Sequence, residues 1–188
     1  MADKNVNPLN IVTWGSVEDF IAVAPLGSAD DLTITEIPTE APAPFEELGA
    51  LSQEGPTVTP TDEITDLKIY QGGATAKTVM TSSETTFHFQ AYESTDLTKG
   101  LYWAPKSQST TGEITERVMG SRNIVKRAWM LGRFEDDKAE LDIIPHGEIT
   151  ERAEIGYSRE NGTLYDFTVK IIGDWRQLEN YTSGESGN

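Results

Sequence analysis

Apolar and polar residues alternate along most of this chain, and that two-residue period constrains its fold more than any other feature. In residues 84–92, Phe87, Phe89 and Ala91 alternate with Thr86, His88 and Gln90. In residues 163–172, Tyr165, Phe167, Val169 and Ile171 share one parity, and Asp166, Thr168 and Lys170 the other. Successive side chains of a strand point to opposite faces, so both stretches read as strands with one face buried. The same pattern predicts strands over residues 17–24, 63–69, 75–81, 113–119, 124–134, 139–144 and 148–157. Turns are expected at Pro25-Leu26-Gly27, Gly72-Gly73 and Ser82-Ser83. Asn161-Gly162 is the strongest hairpin signal, since both turn positions need positive φ. One helix is expected, over residues 94–103. Ser94 or Thr95 caps its start, Leu97, Leu101 and Tyr102 form its apolar stripe, and Ala104-Pro105 ends it.

Residues 36–61 break the pattern. Pro38, Pro42, Pro44, Pro56 and Pro60 fall there among acids and scattered apolar residues. Proline cannot donate to a central ladder, so this stretch reads as a long excursion or edge arm. The tail, residues 182–188, is flexible by composition. One hexapeptide occurs twice: Gly112-Glu113-Ile114-Thr115-Glu116-Arg117 returns as Gly147-Glu148-Ile149-Thr150-Glu151-Arg152. A solenoid needs three or more units, so two copies read as two strands of similar chemistry.

The 188 residues suit one domain, and the net charge is −16. The acidity is uneven. Residues 1–67 hold one base, Lys4, against thirteen acids, a net of −12, which leaves −4 for residues 68–188. That balance argues against a protein that grips nucleic acid through Lys and Arg. It suits a subunit whose acidic part meets the more basic part of another copy. The bases concentrate at Arg117, Arg122, Lys126, Arg127 and Arg133. No apolar run is long enough for a spanning helix, and residues 1–5 lack the pattern of a secretory leader. With no cysteine, disulfides and thiolate metal sites are excluded. His88 and His146 have no ligand-like neighbours, and the adjacent acid pairs point to opposite sides of a strand. No phosphate loop or nucleophile elbow is present. No enzyme activity, metal or cofactor is expected.

An ordered series of segments resembles the major tail, or tail tube, proteins of bacteriophages with long non-contractile tails, especially those infecting actinobacteria. It begins with Phe20-Ile21-Ala22-Val23-Ala24-Pro25-Leu26-Gly27 and continues with Phe45-Glu46-Glu47-Leu48-Gly49-Ala50-Leu51-Ser52-Gln53-Glu54-Gly55. It then runs through residues 64–73, where Tyr70-Gln71 stands in place of a frequent Trp-Gln. It ends in the aromatic strand 87–92 and the helix start at Glu93-Ser94. The resemblance implies a mainly β tail-tube fold, two packed antiparallel sheets with one flanking helix and a long extended arm. It implies an N-terminal arm at 1–15, a tube domain at 16–181 and an inter-subunit arm at 38–62. Subunits of that family form six-membered rings stacked into a hollow virion tail tube around a tape-measure protein. Tail terminator and tip proteins are the other partners implied. The resemblance also implies that genomic DNA passes through the lumen without specific binding and that no membrane is involved. A tail terminator, a head–tail completion protein or a capsid decoration protein is the alternative.

Three groups of residues carry this reading. Phe45, Glu46, Glu47, Leu48 and Leu51 are expected to dock on a neighbour, with Phe45 and Leu48 as apolar anchors. Arg117, Arg122, Arg127 and Arg133 are expected to meet acids of residues 1–67 across subunit contacts. Lumen-facing candidates are Asp66, Lys68, Glu113, Thr115, Glu148, Thr150 and Glu154, on strands whose polar faces should be net negative so that phosphates slide.

Overall fold

The computed structural model of the chain describes residues 12–68, 70, 75–157 and 162–180. The N-terminal arm up to residue 11, the Gly72-Gly73 turn, Asn161 and the tail from residue 181 lie outside them. The described residues form ten strands and one helix. In chain order they are β1 (Phe20–Ala24), β2 (Glu46–Glu47), β3 (Thr57–Lys68), β4 (Thr75–Ala91), α1 (Asp96–Trp103), β5 (Ser107–Thr111), β6 (Ile114–Val118), β7 (Val125–Glu135), β8 (Lys138–Glu151), β9 (Tyr165–Ile171) and β10 (Arg176–Glu179). The chain is mainly β, with two antiparallel sheets.

The larger sheet runs β2-β1-β7-β8-β9-β4-β3, and β10 adds to β8. The smaller one is the β5–β6 hairpin alone. β8 serves both halves of the larger sheet. Its first residues pair with β10, Leu141 opposite Leu178. Its last residues pair with β9, Ile149 opposite Val169. β7 follows β8 along both stretches, with an irregularity where Arg127 faces Gly147 but Trp129 faces Ile144. Pro145 and His146 occupy that bulge, one of the places where a strand tolerates proline. Two predicted strands, 139–144 and 148–157, are therefore one strand ending at Glu151.

The two halves pack on each other through one core. Ile21, Val23, Trp129, Leu131 and Ile144 meet Phe87, Phe89, Phe167, Val169 and Ile171. Trp129 stands edge-on to Phe87 at 5.4 Å and to Phe89 at 5.8 Å between centroids, and Phe89 stacks on Phe167 at 5.0 Å. Thr95 caps α1 by accepting from the Thr98 amide at 3.1 Å, and Ala104 ends it in the left-handed region. Leu101 and Tyr102 carry the helix onto this core.

The Pro-rich segment departs from expectation. It folds onto its own body, covering the opposite face of β1 and β7 in a second core. Ala29 and Phe45 are buried there against Phe20, Ala22, Met130 and Ile143, with Leu32, Ile34, Ile37 and Ala41 packed alongside. β1 is consequently buried at every residue. Glu46 and Glu47 pair with Val23 and Ala22, the Leu48 amide donates to Ile21 O at 2.9 Å, and Leu51 bridges to Ala91. Phe45 and Leu48 are thus core residues of their own chain, not anchors on a neighbour. Beyond residue 56 the segment becomes the start of β3, where Pro60 sits on an edge strand as its missing donor requires.

The serines at 82–83 also break with expectation. β4 is continuous for seventeen residues, because Ser82 and Ser83 bond across the strand pair to Glu63 and Asp62 instead of turning the chain. Removing buried side chains leaves cavities that cost about 3–5 kcal/mol for Phe and 2–5 for Leu. Urea denaturation of the monomer should therefore show losses of that size for Phe45→Ala and Leu48→Ala.

Candidate assembly surfaces

β9 joins β4 only from Thr85 onward, so the stretch from Thr75 to Glu84 has β3 as its sole partner among the described strands. Ten residues of strand extend roughly 30 Å. The β3–β4 hairpin is therefore a long projection, and every residue of β3 is exposed. Its apolar side chains Ile64, Leu67 and Met80 are exposed as well. Isolated two-stranded ribbons are marginal in water, and a free strand edge is a template for pairing.

Three acids of this hairpin are met by hydroxyls rather than by bases. The Thr78 hydroxyl donates to Asp66 at 2.7 Å, Ser83 to Asp62 at 2.6 Å and Ser82 to Glu63 at 3.1 Å. Hydroxyls satisfy the carboxylate lone pairs without neutralising them. Sequence periodicity cannot show these couplings, because they depend on which strand lies opposite.

A continuous polar face spans the outer side of β8, β9 and β4. Asp166 on β9 is bonded by His88 at 3.0 Å and Gln90 at 2.8 Å, both on β4. Lys170 donates to Glu84, and Thr150 to the Thr168 carbonyl at 3.3 Å. Glu148 is held by Lys126 at 2.8 Å and by His146 at 3.2 Å. The Lys126 hydrogen bond keeps its carboxyl below the ordinary range, with His146 adding to the pull. Of the expected lumen residues, Glu148 and Thr150 lie on this face. Asp66 and Lys68 lie near the tip of the long hairpin, Glu113 and Thr115 on the short one, and Glu154 on the segment after β8. The structure does not bring these seven together. Asp166, Lys170, Glu84 and His88 also belong to the face; alternation in the sequence marks their parity, but not that β4 and β9 are neighbours.

The four arginines separate into different roles. Arg133 spends its charge inside its own chain, which corrects the expectation of a cross-subunit pair. Its guanidinium bonds Glu140 at 2.8 Å and Asp142 at 2.7 Å and lies 5.9 Å from the Trp14 ring centroid. Burial opposes the Arg133 charge, but Asp142 and Glu140 outweigh it and hold the guanidinium above its ordinary range. Burial likewise raises the Asp142 carboxyl, against the pull of Arg133. Arg117 also finds an acid at home, bonding Asp96 at the start of α1 and Gln108 at 3.0 Å. Arg122 lies 5.6 Å from the Trp103 ring centroid, and Arg127 donates to the Lys126 carbonyl at 2.9 Å. Neither has a carboxylate partner among the described residues.

A cleft of about 800 Å³ is walled by Trp14, Asp19, Glu47, Leu51, Glu54 and Arg133 among others. Among the described residues no group of three or more His, Cys, Asp or Glu is arranged to hold a metal ion, and no helix is long and apolar enough to cross a membrane.

No protein-family description matches this sequence, and no curated protein matches it. Solved structures do. A chain in the virion of a native gene transfer agent particle is similar with a TM-score of 0.47 at 11% identity, over 88% of this chain and 99% of that one. A chain in the tail of an empty gene transfer agent particle, refined with C6 symmetry, gives 0.44 at 11% identity, over 87% and 98%. A chain of the SPP1 tail tube gives 0.46 at 12% identity, over 88% and 78%. All three lie below a TM-score of 0.5.

Removing one partner of a buried ion pair typically costs 3–5 kcal/mol, whereas surface changes stay within about 0.5. Arg133→Ala should therefore lower monomer stability by about 3–5 kcal/mol in urea titrations, with Arg122→Ala and Arg127→Ala close to wild type.

Proposed function

We propose that this chain is a structural subunit that polymerises, as stacked rings of six, into the tail tube of a bacteriophage with a long non-contractile tail. The observation that carries the reading is the long β3–β4 hairpin. A body with two complete cores projects a two-stranded ribbon whose outer edge and apolar side chains have no partner among the described residues. Such a ribbon is stabilised when a neighbouring subunit covers it, and contacts of this kind, repeated head to tail, close into rings or extend into filaments. The ordered sequence resemblance to tail tube proteins supports the same assignment. On this reading the protein acts in the virion tail and performs no catalysis.

The polar face of β8, β9 and β4 is the wall we assign to the bore. Glu84, Glu148 and Asp166 face Lys126 and Lys170 there, so acids outnumber bases even before the acidic hairpins are added. DNA held by Lys and Arg releases counterions and stays bound. A wall with excess carboxylate supplies no such grip, and the duplex passes. The tape-measure protein fills the same bore before DNA does, and terminator and tip proteins close the ends.

Negative-stain microscopy of the concentrated protein tests the assignment. Long filaments of uniform bore are expected, and a reconstruction should place Asp166 and Lys170 on the inner wall. A protein that stays monomeric when concentrated, or that closes into single rings without stacking, is a different virion component.

A further inference from the structure

The repeated hexapeptide occupies two opposite environments. In β8 it lies between two strands that present the same dipeptide. Ile149 faces Val125 of β7 and Val169 of β9, and Glu148 faces Lys126 and Lys170. Both neighbours thus read Val-Lys, in antiparallel register against Glu-Ile. There Ile149 is only 1% exposed, and Glu148 is paired with Lys126. The other copy sits on the β5–β6 hairpin, in no such sandwich. Ile114 is 75% exposed, Glu113 lies in the turn, and β6 has β5 as its sole partner among the described strands. Ile114 and Val118 share the exposed side of β6, alternating with half-buried Thr115 and Arg117.

A strand that finds its counterpart twice inside the chain specifies what a third counterpart looks like: an apolar residue followed by lysine, on an antiparallel strand with an unpaired edge. Among the described strands, β3 meets this description. Leu67-Lys68 ends β3, Leu67 is 54% exposed, and β3 pairs with β4 alone. Ala76-Lys77 on β4 has the same order but offers only a methyl group. Neither Lys68 nor Glu113 has an ion partner among the described residues. The two surfaces therefore match in hydrophobicity, charge order and free backbone groups.

We propose that β6 of one copy adds to the free edge of β3 in a second copy, with Ile114 opposite Leu67 and the turn residue Glu113 beside Lys68. The contact joins two different surfaces, so it is head-to-tail and propagates. It rests on the tube reading for its setting, naming which hairpin meets which.

The absence of cysteine makes the register directly testable. Opposed residues of an antiparallel pair lie about 4.5–5.5 Å apart at Cα, within disulfide range. Leu67→Cys and Ile114→Cys chains, mixed in equal amounts and oxidised, should yield a covalent dimer containing one of each. The double variant should yield a ladder of multimers under denaturing electrophoresis. Charge reversal is the second arm. Glu113→Lys and Lys68→Glu should each raise the concentration needed for assembly roughly two- to five-fold, the value of one opposed charge pair, and the combined variant should restore it. Tubes that form without a ladder, or reversals that leave assembly unchanged, overturn the register. A ladder from a sample without tubes keeps the contact and removes the tube, and a sample with neither removes both.

Discussion

Trp129 is the contact on which the two halves of the larger sheet depend. Its indole stands edge-on to Phe87 and Phe89 from the facing half and fills the space above Gly147, where a Cβ would lie 2.5 Å from the ring. Its Nε1 donates to the Gly147 carbonyl at 3.4 Å. Gly147 follows the Pro145-His146 bulge, the point at which β8 leaves one half and enters the other. The bulge re-aims the strand, the missing side chain admits the indole, and the indole locks the angle. Other arrangements follow from that joint. β9 and β4 are brought over β1 and β7, their aromatic parity turns inward, and their polar parity becomes an outer wall.

Parity was legible in the sequence because it needs no knowledge of neighbours. The inward set of residues 165–171, the alternation of 84–91 and the cap at Thr95 could each be read from a few consecutive residues. What depends on a partner distant in sequence was not. Ser82-Ser83 has turn composition, yet its hydroxyls serve carboxylates about twenty positions away. Pro145 has breaker composition, yet a bulge accommodates it. Of β5, β2 and β10 only short polar stretches exist, and each is a strand because another strand lies beside it. Phe45 and Leu48 are the clearest instance. Apolar residues among prolines show that a segment is to be buried, and nothing in their spacing says whether the covering surface belongs to the same molecule. Here β1 and β7 present an apolar outer face that would otherwise meet water, and the segment supplies its cover.

That cover shifts the burden of assembly. With both faces of β1 occupied and Arg133 neutralised by Glu140 and Asp142, the body has spent its apolar stripes and its most buried cation internally. What remains unfinished among the described residues are two ribbons, β3–β4 and β5–β6, and several arginines without acid partners, the exposed Arg122 and Arg127 among them. On the proposed assembly, the cores of such a subunit do not wait for a neighbour. Association of that kind adds edges to edges, with modest apolar burial and alternating charges, which favours correct register over tight affinity.

The hydroxyl–carboxylate pairs of the long hairpin fit that logic. Had Asp62, Glu63 and Asp66 been matched with lysines opposite, the ribbon would be closer to neutral and its edge a general template for any strand. Serine and threonine opposite them hold the carboxylates in place while leaving the negative charge intact, so two such hairpins repel each other in parallel approach. On the proposed contact, an incoming strand meets an apolar residue and a base at Leu67-Lys68, beyond the carboxylates that would oppose a second copy of the same hairpin.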